Sequence, residues 1–497
     1  MKKSSPVTAS HVNEGTALAE EDRPREVTTK RAFRAPKLTA SVESSDTTEI
    51  GGLALAVRFV AKLKIAPRID KALSLLRVHR GYFESDHVLT HVYSLFTGAT
   101  CIEDIAHLQH SEPVRRLLGT QHIPDPTTAG DFLRRFDAAD IALLDRVGDS
   151  IHRDVWKHHY GRTKPEQALV DLDSHVHHVY GHQKEGTDYT YKGGFGYHPL
   201  VVSIAGTQEC LRIINRPGNV QSSAGSADAL EEVFPVLKER FKRVVIRGDS
   251  AFADQSIFDK CQEHGAFFAV VSPCQPNFSA IADGIDEKRW KRFRAKADEM
   301  PIEDRQRQRE RGPDVRRERT EARGKRDLRL QEQWIAEVDY RPKRSKTTYR
   351  LIIRRQRIHE YRQGQLFDLW RYRYVLTNLP KSVPMHEAVR MTYQRCDQEN
   401  VIEQLQSGVA AMKLPTGGFL ANHAYLVCAR FAHNLKAWLA MLALPRETMR
   451  WEWKRFRRSF VQIAARVVHS GRQTLVRFAD SHRFAGQIAK GIETLQA

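Results

Sequence analysis

Hydrophobic and polar positions follow two different periods along this chain. From Leu53 to about His158, apolar residues recur at helical spacing, as in "LALAVRFVAKL" and "DHVLTHVYSLF". From Gln167 onward, three short β-rich runs follow one another: "ALVDLD", "HPLVVSIAG" and "CLRIINRPG". Then come a helix ("SADALEEVFPVLKERF"), a strand ("RVVIRGDSA"), a helix ("DQSIFDKCQEH") and a strand ("AFFAVV"). The order β-β-β-α-β-α-β predicts an α/β layer built on a mixed sheet.

The regions around this layer have other patterns. Residues 1–48 are polar and predict a disordered tail. Residues 285–333 are dense in both charge signs and predict an exposed helix or a partly ordered excursion. Three further strands are predicted in "WIAEVDY", "YRLIIRRQRI" and "LWRYRYVLTNL". Helices are predicted over 386–409, over 419–443 and over most of 451–495.

The charge balance adds a partner to this picture. Lys and Arg total 79 against 60 Asp and Glu, a formal charge of +19, which favours a polyanion, with nucleic acid as the first candidate. None of the six cysteines forms a CxxC pair, so neither a zinc site nor a disulfide framework is indicated. Reduced thiols fit a cytoplasmic protein. Neither a membrane span nor a signal peptide is predicted.

Carboxylates stand at the ends of two predicted strands. Asp171 and Asp173 alternate on the first strand and therefore face the same side. Asp249 ends the strand "VVIRGD", which we expect beside the first. Carboxylates held close together repel one another unless a cation binds them, and Mg²⁺ prefers oxygen ligands. Two such ions can support phosphoryl transfer. For either aspartate alone, a loop or helix-cap role explains the residue equally well.

A third acid and several motifs carry a family resemblance. The predicted helix "MTYQRCDQENVIEQLQSGV" offers Glu399 and Glu403. Together with "DLDSHVHHVYGHQ", "RPGNVQSSAGSADAL", "VVIRGDSAFAD" and "LPTGGFLANHAYLVCARFAHNL", it makes the chain resemble a DDE transposase of bacterial insertion sequences, with an RNase H-like core. The resemblance implies that Asp173, Asp249 and Glu399 are the catalytic metal ligands for two Mg²⁺ ions, for which Mn²⁺ can substitute. Asp171 stays an alternative for the first ligand.

The resemblance also implies DNA contacts. Arg395, four residues before Glu399, matches the family and is expected to contact the DNA backbone. Tyr393 and Gln406 depart from the family pattern. In the predicted insertion, Trp290 and Trp334 are candidates to stack on a base flipped out near the cut. The predicted helix start "DPTTAGDFLRRF" has its cap among the threonines and would dock DNA through its N-terminus and four side chains: Thr127, Thr128, Arg134 and Arg135.

Together these inferences predict an α/β (α+β overall) fold with an RNase H-like core. The protein is expected to act on double-stranded DNA as a homodimer in a synaptic complex. Its predicted regions are a disordered tail (1–48), a helical DNA-binding region (49–160), the first part of the core (161–275), a charged and β-rich insertion (276–380), the core's catalytic helix and the next helix (381–445), and a basic helical region (446–497). On a helical wheel, Glu399 lies nearer than Glu403 to the apolar stripe of Met391, Ile402, Leu405 and Val409.

Two alternatives remain open. One is an HUH-type single-strand nicking transposase, in which His175 and His177 would hold a metal and Tyr191 or Tyr393 would be the nucleophile. The strand order argues against it, because the first strand's acids already have a place in the β-β-β-α series. The other is a catalytically inactive protein that binds and represses the element ends. The presence of all three acids argues against that alternative.

Overall fold

The computed structural model describes residues 46–79, 81–180, 182–294, 328–360, 369–471 and 473–496. Most of the predicted tail, 1–45, lies outside the described residues. Its last residues are part of the fold, because Thr47–Thr48 (β1) pair with a strand near the C-terminus. No helix in the described ranges is both long enough and apolar enough to cross a membrane.

The N-terminal region is helical, as its apolar spacing predicts. Its helices are α1 (Leu53–Lys62), α2 (Ile65–Ala72), α3 (Glu84–Thr97), α4 (Ile105–His110), α5 (Glu112–Leu118), α6 (Pro126–Leu133) and α7 (Ala138–Tyr160). A 3₁₀ turn, Ile102–Asp104, precedes α4. The helices bury apolar residues one turn apart, such as Leu55 and Phe59 on α1, both 0% exposed.

The predicted β-β-β-α-β-α-β order is confirmed. Its elements are β2 (Gln167–Ser174), β6 (Leu200–Ile204), β7 (Cys210–Ile214), α8 (Ser226–Arg240), β8 (Arg243–Gly248), α9 (Gln255–Glu263) and β9 (Phe267–Ser272). The strands lie in the order β7-β6-β2-β8-β9; β6 is antiparallel to its neighbours, whereas β8 is parallel to β2 and β9. A small separate sheet intervenes between β2 and β6, formed by β3 (His177–His178), β4 (Asp188–Tyr189) and β5 (Phe195–Tyr197). This mixed sheet is the one that the order of elements predicts.

The insertion adds further strands to this sheet, beside β9. It contains α10 (Phe278–Asp283), a 3₁₀ turn (Glu287–Arg289), β10 (Lys291–Arg292), β11 (Leu328–Tyr340), β12 (Tyr349–Glu360) and β13 (Leu369–Thr377). The strands continue in the order β9-β13-β12-β11-β10. Of the charged stretch 285–333, residues 295–327 lie outside the described residues. The prediction is wrong for 291–292 and 328–333, which are strands: 328–333 pair with β12, and Lys291 and Arg292 pair with Ile335 and Trp334 of β11.

The predicted helix 386–409 is broken, which corrects the sequence interpretation. It consists of α11 (Met385–Tyr393), α12 (Cys396–Glu403) and a π-helical turn (Gln404–Gly408). The break falls at Gln394 and Arg395, where a buried arginine of the sheet takes the carbonyl oxygens that would continue the helix. The next helix, α13 (Phe419–Leu442), is buried over almost its whole length, as expected of a central helix that is largely apolar on all sides.

The C-terminal region is only partly helical. It contains a 3₁₀ turn (Arg446–Arg450), α14 (Trp453–Phe456), a π-helical turn (Arg457–Val461), β14 (Ala465–Ser470), β15 (Gln473–Phe478) and α15 (Ala485–Gln496). The prediction of helix over most of 451–495 is therefore wrong for the β14–β15 hairpin. Its two strands, "ARVVHS" and "QTLVRF", are rich in β-branched residues, and Gly471 between them has a φ of +62°.

Candidate active site

The two aspartates predicted from strand ends lie at one edge of the sheet. β2 and β8 are parallel, and their last paired residues are Asp171 and Arg247. Asp173 and Asp249 each follow two residues later. Burial, together with the negative charges of Asp249 and Asp171, raises the pKa of Asp173 above its ordinary value, although the Ser174 amide and Arg395 act in the opposite direction. The pair thus concentrates negative charge at this edge.

The two carboxylates differ in exposure and in local partners. The Asp173 side chain is 25% exposed, and its Oδ1 accepts a hydrogen bond from the Ser174 amide at 2.7 Å. Asp249 is exposed and caps the 3₁₀ turn Ser250–Phe252, where its Oδ1 accepts from the Ala251 amide at 2.8 Å. The cap role that the sequence allows for Asp249 is therefore real. In this role one oxygen of the Asp249 carboxylate accepts a hydrogen bond from a backbone amide, and no positively charged side chain takes part.

Asp171 has a different environment. Its side chain is 0% exposed and accepts two hydrogen bonds from the Arg247 guanidinium, each at 2.7 Å. Arg247, 1% exposed, neutralises this carboxylate inside the core. The geometry favours Asp173 over Asp171 as the acid available to a cation. The sequence carries one signal for Arg247 that the prediction does not use: a charged residue inside the buried strand "VVIRG".

Arg247 also joins the strands to the broken helix. Its Nη1 donates to the carbonyl oxygens of Met391 and Gln394, both at 2.9 Å. Directly after the break, Arg395 Nη2 donates to the Leu172 carbonyl oxygen at 2.9 Å. The Arg395 guanidinium lies 3.7 Å from Asp171 and 3.9 Å from Asp173. The residue predicted to contact the DNA backbone is thus placed among the carboxylates, and its DNA contact stays a prediction.

The start of α12 is fixed against β6 by Gln398, which the sequence interpretation missed. Its buried side chain accepts a hydrogen bond from the Ser203 hydroxyl, and its amide lies 3.5 Å from the Val201 carbonyl oxygen. Ser203 and Val201 are the strand partners of Asp171 and Asp173. The contact therefore places the beginning of α12 beside the acidic end of β2.

Glu399 directly follows this anchor and has an exposed side chain. Glu403, one turn later, is also exposed, but its carboxylate accepts from the Ser407 hydroxyl at 2.7 Å and from the Gln404 amide. All four residues of the predicted apolar stripe are buried. Met391, however, belongs to α11, so the helical-wheel comparison holds only for the part after the break.

The described ranges contain no group of three His, Cys, Asp or Glu side chains arranged to hold a metal ion. The structure thus brings Asp173 and Asp249 to one edge and places Glu399 on the helix beside it, without closing the three into a ligand set. The donor chemistry still fits Mg²⁺, since carboxylate oxygens are its usual protein ligands. Burial, with smaller contributions from the charges of Asp249 and Asp171, raises the pKa of Asp173.

The predicted DNA-docking helix is α6, and its cap differs from the prediction. Asp125 is the N-cap, and its carboxylate accepts from the amides of Thr127 and Thr128 at 2.9 and 3.0 Å. An anion therefore already occupies the helix N-terminus, which argues against DNA phosphate binding at these amides. Arg134 pairs with Asp131, and Arg135 is exposed.

The two candidate tryptophans of the insertion surround an arginine. Arg355 lies over the rings of Trp290, Trp334 and Trp370 at 4.4, 5.4 and 5.1 Å. Trp290 is only 8% exposed, which is incompatible with stacking on a base unless the cluster opens. Trp370, which the sequence interpretation missed, is 49% exposed.

The histidines of the alternative mechanism do not share a strand. β2 ends at Ser174, so His175 lies in the connection, whereas His177 belongs to β3 in the small sheet. Burial lowers the pKa of His177 to about 4. Tyr393 packs under Arg354, which lies 4.9 Å from its ring centre. The arrangement required for an HUH site is therefore not formed by these residues.

Comparisons with known proteins give a family. No curated protein matches the chain. A solved piggyBac transposase synaptic complex with hairpin DNA is similar at 11% identity, covering 83% of this chain and 84% of that one, with a TM-score of 0.32, which is too low to support an argument. A family model described as transposase DDE domain, group 1, matches residues 30–497. The resemblance inferred from the sequence is confirmed, and the chain belongs to the group 1 DDE transposase family.

Proposed function

We propose that this transposase binds the terminal inverted repeats of its element and cuts and joins DNA there, with Asp173, Asp249 and Glu399 holding two Mg²⁺ ions. The observation that carries the proposal is the difference between neighbouring acids. Asp171 is neutralised by Arg247, whereas Asp173 and Asp249 add their charges at the same edge. Uncompensated carboxylates at strand ends favour binding of a hard divalent cation.

The ions, when bound, supply Lewis-acid stabilisation of the phosphoryl oxygens; Mn²⁺ can take the place of Mg²⁺. The chain's own part is to hold the acids in position. The Ala251 amide fixes Asp249, the Ser174 amide fixes Asp173, and Gln398 fixes the helix start before Glu399. Water attacks the phosphodiester and frees a 3′ hydroxyl. That hydroxyl then attacks a phosphodiester of the target DNA; a new oxygen–phosphorus bond forms, the target's own 3′ oxygen leaves as a 3′ hydroxyl, and no covalent bond to the protein forms.

We extend the proposal to the DNA itself. A formal charge of +19 supports binding to a polyanion. The helical region would contact the duplex through the side chains of Arg134 and Arg135, which follow the end of α6, and through Thr127 and Thr128 in its first turn. In the insertion, Trp334 and the more exposed Trp370 are better placed to stack on an unpaired base than Trp290. Two copies would hold two element ends in a synaptic complex.

The test compares Glu399→Gln with its matched control Glu403→Gln. Both variants lose one negative charge from an exposed side chain of α12. We measure single-turnover nicking of an end-containing duplex in Mg²⁺ and in EDTA, after confirming folding and DNA binding. Glu399→Gln is expected to abolish nicking, and Glu403→Gln to retain a substantial part of it.

Three outcomes would contradict parts of this proposal. Activity in Glu399→Gln together with inactivity of Glu403→Gln would reassign the third ligand. Unchanged nicking by wild type in EDTA would remove the metal ions from the mechanism. End binding by wild type without any nicking in Mg²⁺ or Mn²⁺ would favour the repressor.

A further inference from the structure

A basic cavity lies on the insertion side of α11. It has a volume of about 520 Å³ and lies between β10, β11, the start of β12 and the N-terminus of α11. Apolar contributions come from Phe293, Ile335, Pro384 and Met385. Six of its lining residues are cationic, and they are Lys291, Arg292, Arg294, Arg350, Lys381 and Arg390. The single acid in the lining is Glu337.

That acid is already neutralised. Arg350, a buried residue, donates to Glu337 Oε2 from Nε at 3.0 Å and from Nη2 at 2.6 Å. Carboxylates outside the cavity lining pair with two more of the cations, Glu332 with Arg292 at 3.1 Å and Asp339 with Lys381 at 3.2 Å.

Three of the six cations remain. Arg390 donates a hydrogen bond to the Arg294 carbonyl oxygen at 3.2 Å, and the other two are Lys291 and Arg294. Within the described part of the chain, Lys291 and Arg294 have no carboxylate partner, and both side chains are exposed. The first turn of α11, with Pro384 as its N-cap and no side chain capping it, opens at the same cavity and adds the positive end of a helix dipole. The cavity therefore carries an excess of positive charge.

The position of the cavity relative to the carboxylates suggests its ligand. α11 begins at the cavity and ends where Arg247 binds the carbonyl oxygens of Met391 and Gln394. Its nine residues span about 13 Å at 1.5 Å per residue. About four base pairs of duplex cover this distance, at 3.4 Å per step. A DNA strand cut at the carboxylates can therefore reach the cavity with a phosphate a few nucleotides away.

We propose that this cavity binds backbone phosphates of the DNA that flanks the cleaved position, through Lys291 and Arg294. The proposal rests on the proposed function, since it takes the cut to occur at Asp173 and Asp249. The lining favours phosphate because it is mainly cationic. It favours a strand over a small anion because the two unpaired cations are exposed at the cavity and can reach a backbone that passes over it.

The experiment uses the full chain and a duplex with the element's terminal repeat. Single phosphates around the cleavage position are replaced, one at a time, by neutral methylphosphonates. Wild type is compared with Lys291→Ala/Arg294→Ala and with the charge-matched control Lys288→Ala/Lys346→Ala, whose two exposed lysines lie outside the cavity. The readouts are affinity at each modified position and the dependence of affinity on salt.

We expect wild type and the control to bind less tightly when one or two flanking phosphates are neutralised, and the affinity of the cavity variant to be insensitive to those same replacements. The log–log salt slope of the cavity variant should be smaller than that of the control by about 0.9 for each phosphate that Lys291 and Arg294 neutralise in wild type. An unchanged phosphate pattern in the cavity variant, or an equal change of slope in the control, would overturn the proposal.

Two further results separate this proposal from its neighbours. If tripolyphosphate binds wild type but not the cavity variant, while the phosphate pattern on DNA stays unchanged, the cavity is a small-anion site and the DNA assignment is wrong. If wild type does not nick DNA in Mg²⁺, the proposed function fails by a separate measurement, and the phosphate pattern still decides whether the cavity contacts DNA.

Discussion

Two regions of the core contain buried or half-buried charges, and they balance them differently. Behind the sheet, between α7 and α13, Arg212 pairs with Asp149 at 2.8 Å and with Glu232 at 2.9 Å, and Arg430 pairs with Asp145 at 2.9 Å. At the edge that holds Asp173 and Asp249, Asp171 has a close pair in Arg247 at 2.7 Å, whereas the Arg395 guanidinium lies 3.7 Å from Asp171 and 3.9 Å from Asp173. The helical side joins charges in pairs, whereas the edge leaves carboxylates in excess.

Glu209 demonstrates the first kind of environment. It is fully buried, and its carboxylate accepts from His152 at 3.0 Å and from the indoles of Trp156 and Trp438. Burial acts to raise its pKa, yet the hydrogen bond and positive charge of His152, with the hydrogen bonds from Trp156 and Thr207, bring it below the ordinary value. Asp173 has the opposite shift. The comparison teaches that a compensated acid holds the structure together, while an uncompensated acid marks where a cation is expected to bind.

The largest effect is expected from Asp249→Asn. Replacing one carboxylate at the edge weakens cation binding, and metal ions contribute several kcal/mol to such reactions, so cleavage should fall by roughly 10³-fold or more. DNA binding should stay nearly intact, because no phosphate-facing cation is removed. Band-shift affinity and single-turnover cleavage are measured together. Normal cleavage would exclude Asp249 from the site.

Changes at the ion pair of Asp171 and Arg247 should alter the stability of the fold. Arg247→Ala removes both hydrogen bonds that the guanidinium donates to the buried Asp171 and is expected to lower the free energy of unfolding by about 3–5 kcal/mol. The double variant Asp171→Leu/Arg247→Met, which removes both charges, should recover most of that stability. Urea unfolding of the three proteins measures it. Equal destabilisation of the single and double variants would mean that the pair is not what stabilises this region.

Low pH should reduce the free energy of unfolding through a buried histidine that stays neutral in the folded protein. Burial, helped by Lys436, lowers the pKa of His433 to about 3. Below pH 6.5 the unfolded chain binds a proton that the folded chain does not, so stability should fall by about 1.4 kcal/mol per pH unit from this group. His433→Gln should flatten the profile between pH 6.5 and 4, while the exposed control His110→Gln should leave it unchanged.

The smallest effect is a gain. The folded state raises the pKa of Asp173, so at neutral pH its charge costs stability, and Asp173→Asn should increase the unfolding free energy by about 0.5–2 kcal/mol without divalent ions. Mg²⁺ should raise the melting temperature of wild type but not of the variant. The exposed Asp283→Asn serves as the control. A destabilised Asp173→Asn would contradict the contrast between the two kinds of acid.

The order of strands and helices along the core can be predicted because each strand has a local signal, a short apolar run; the first run ends in acid, and Gly, Pro or Asn follows the others. The break between α11 and α12 cannot, because it depends on Arg247, which is distant in sequence from the carbonyl oxygens that it binds. Charge density is misleading at 328–333, where pairing with β12 decides the structure. Trp290 is a plausible stacking residue by sequence, but Arg355 covers its ring.

The pairing of β1 with β14 determines when, during synthesis, the N-terminal region can finish folding. Thr47 and Thr48 pair with Arg466 and Ala465, which are synthesised more than 400 residues later. Lys62, at the end of α1, donates a hydrogen bond to the Thr494 carbonyl oxygen on α15. At about 5–20 residues per second, a ribosome needs on the order of 25–100 s to make 497 residues. The first helix is therefore synthesised long before its final partner exists. A chain that stops a dozen residues early leaves the N-terminal helices open on that side.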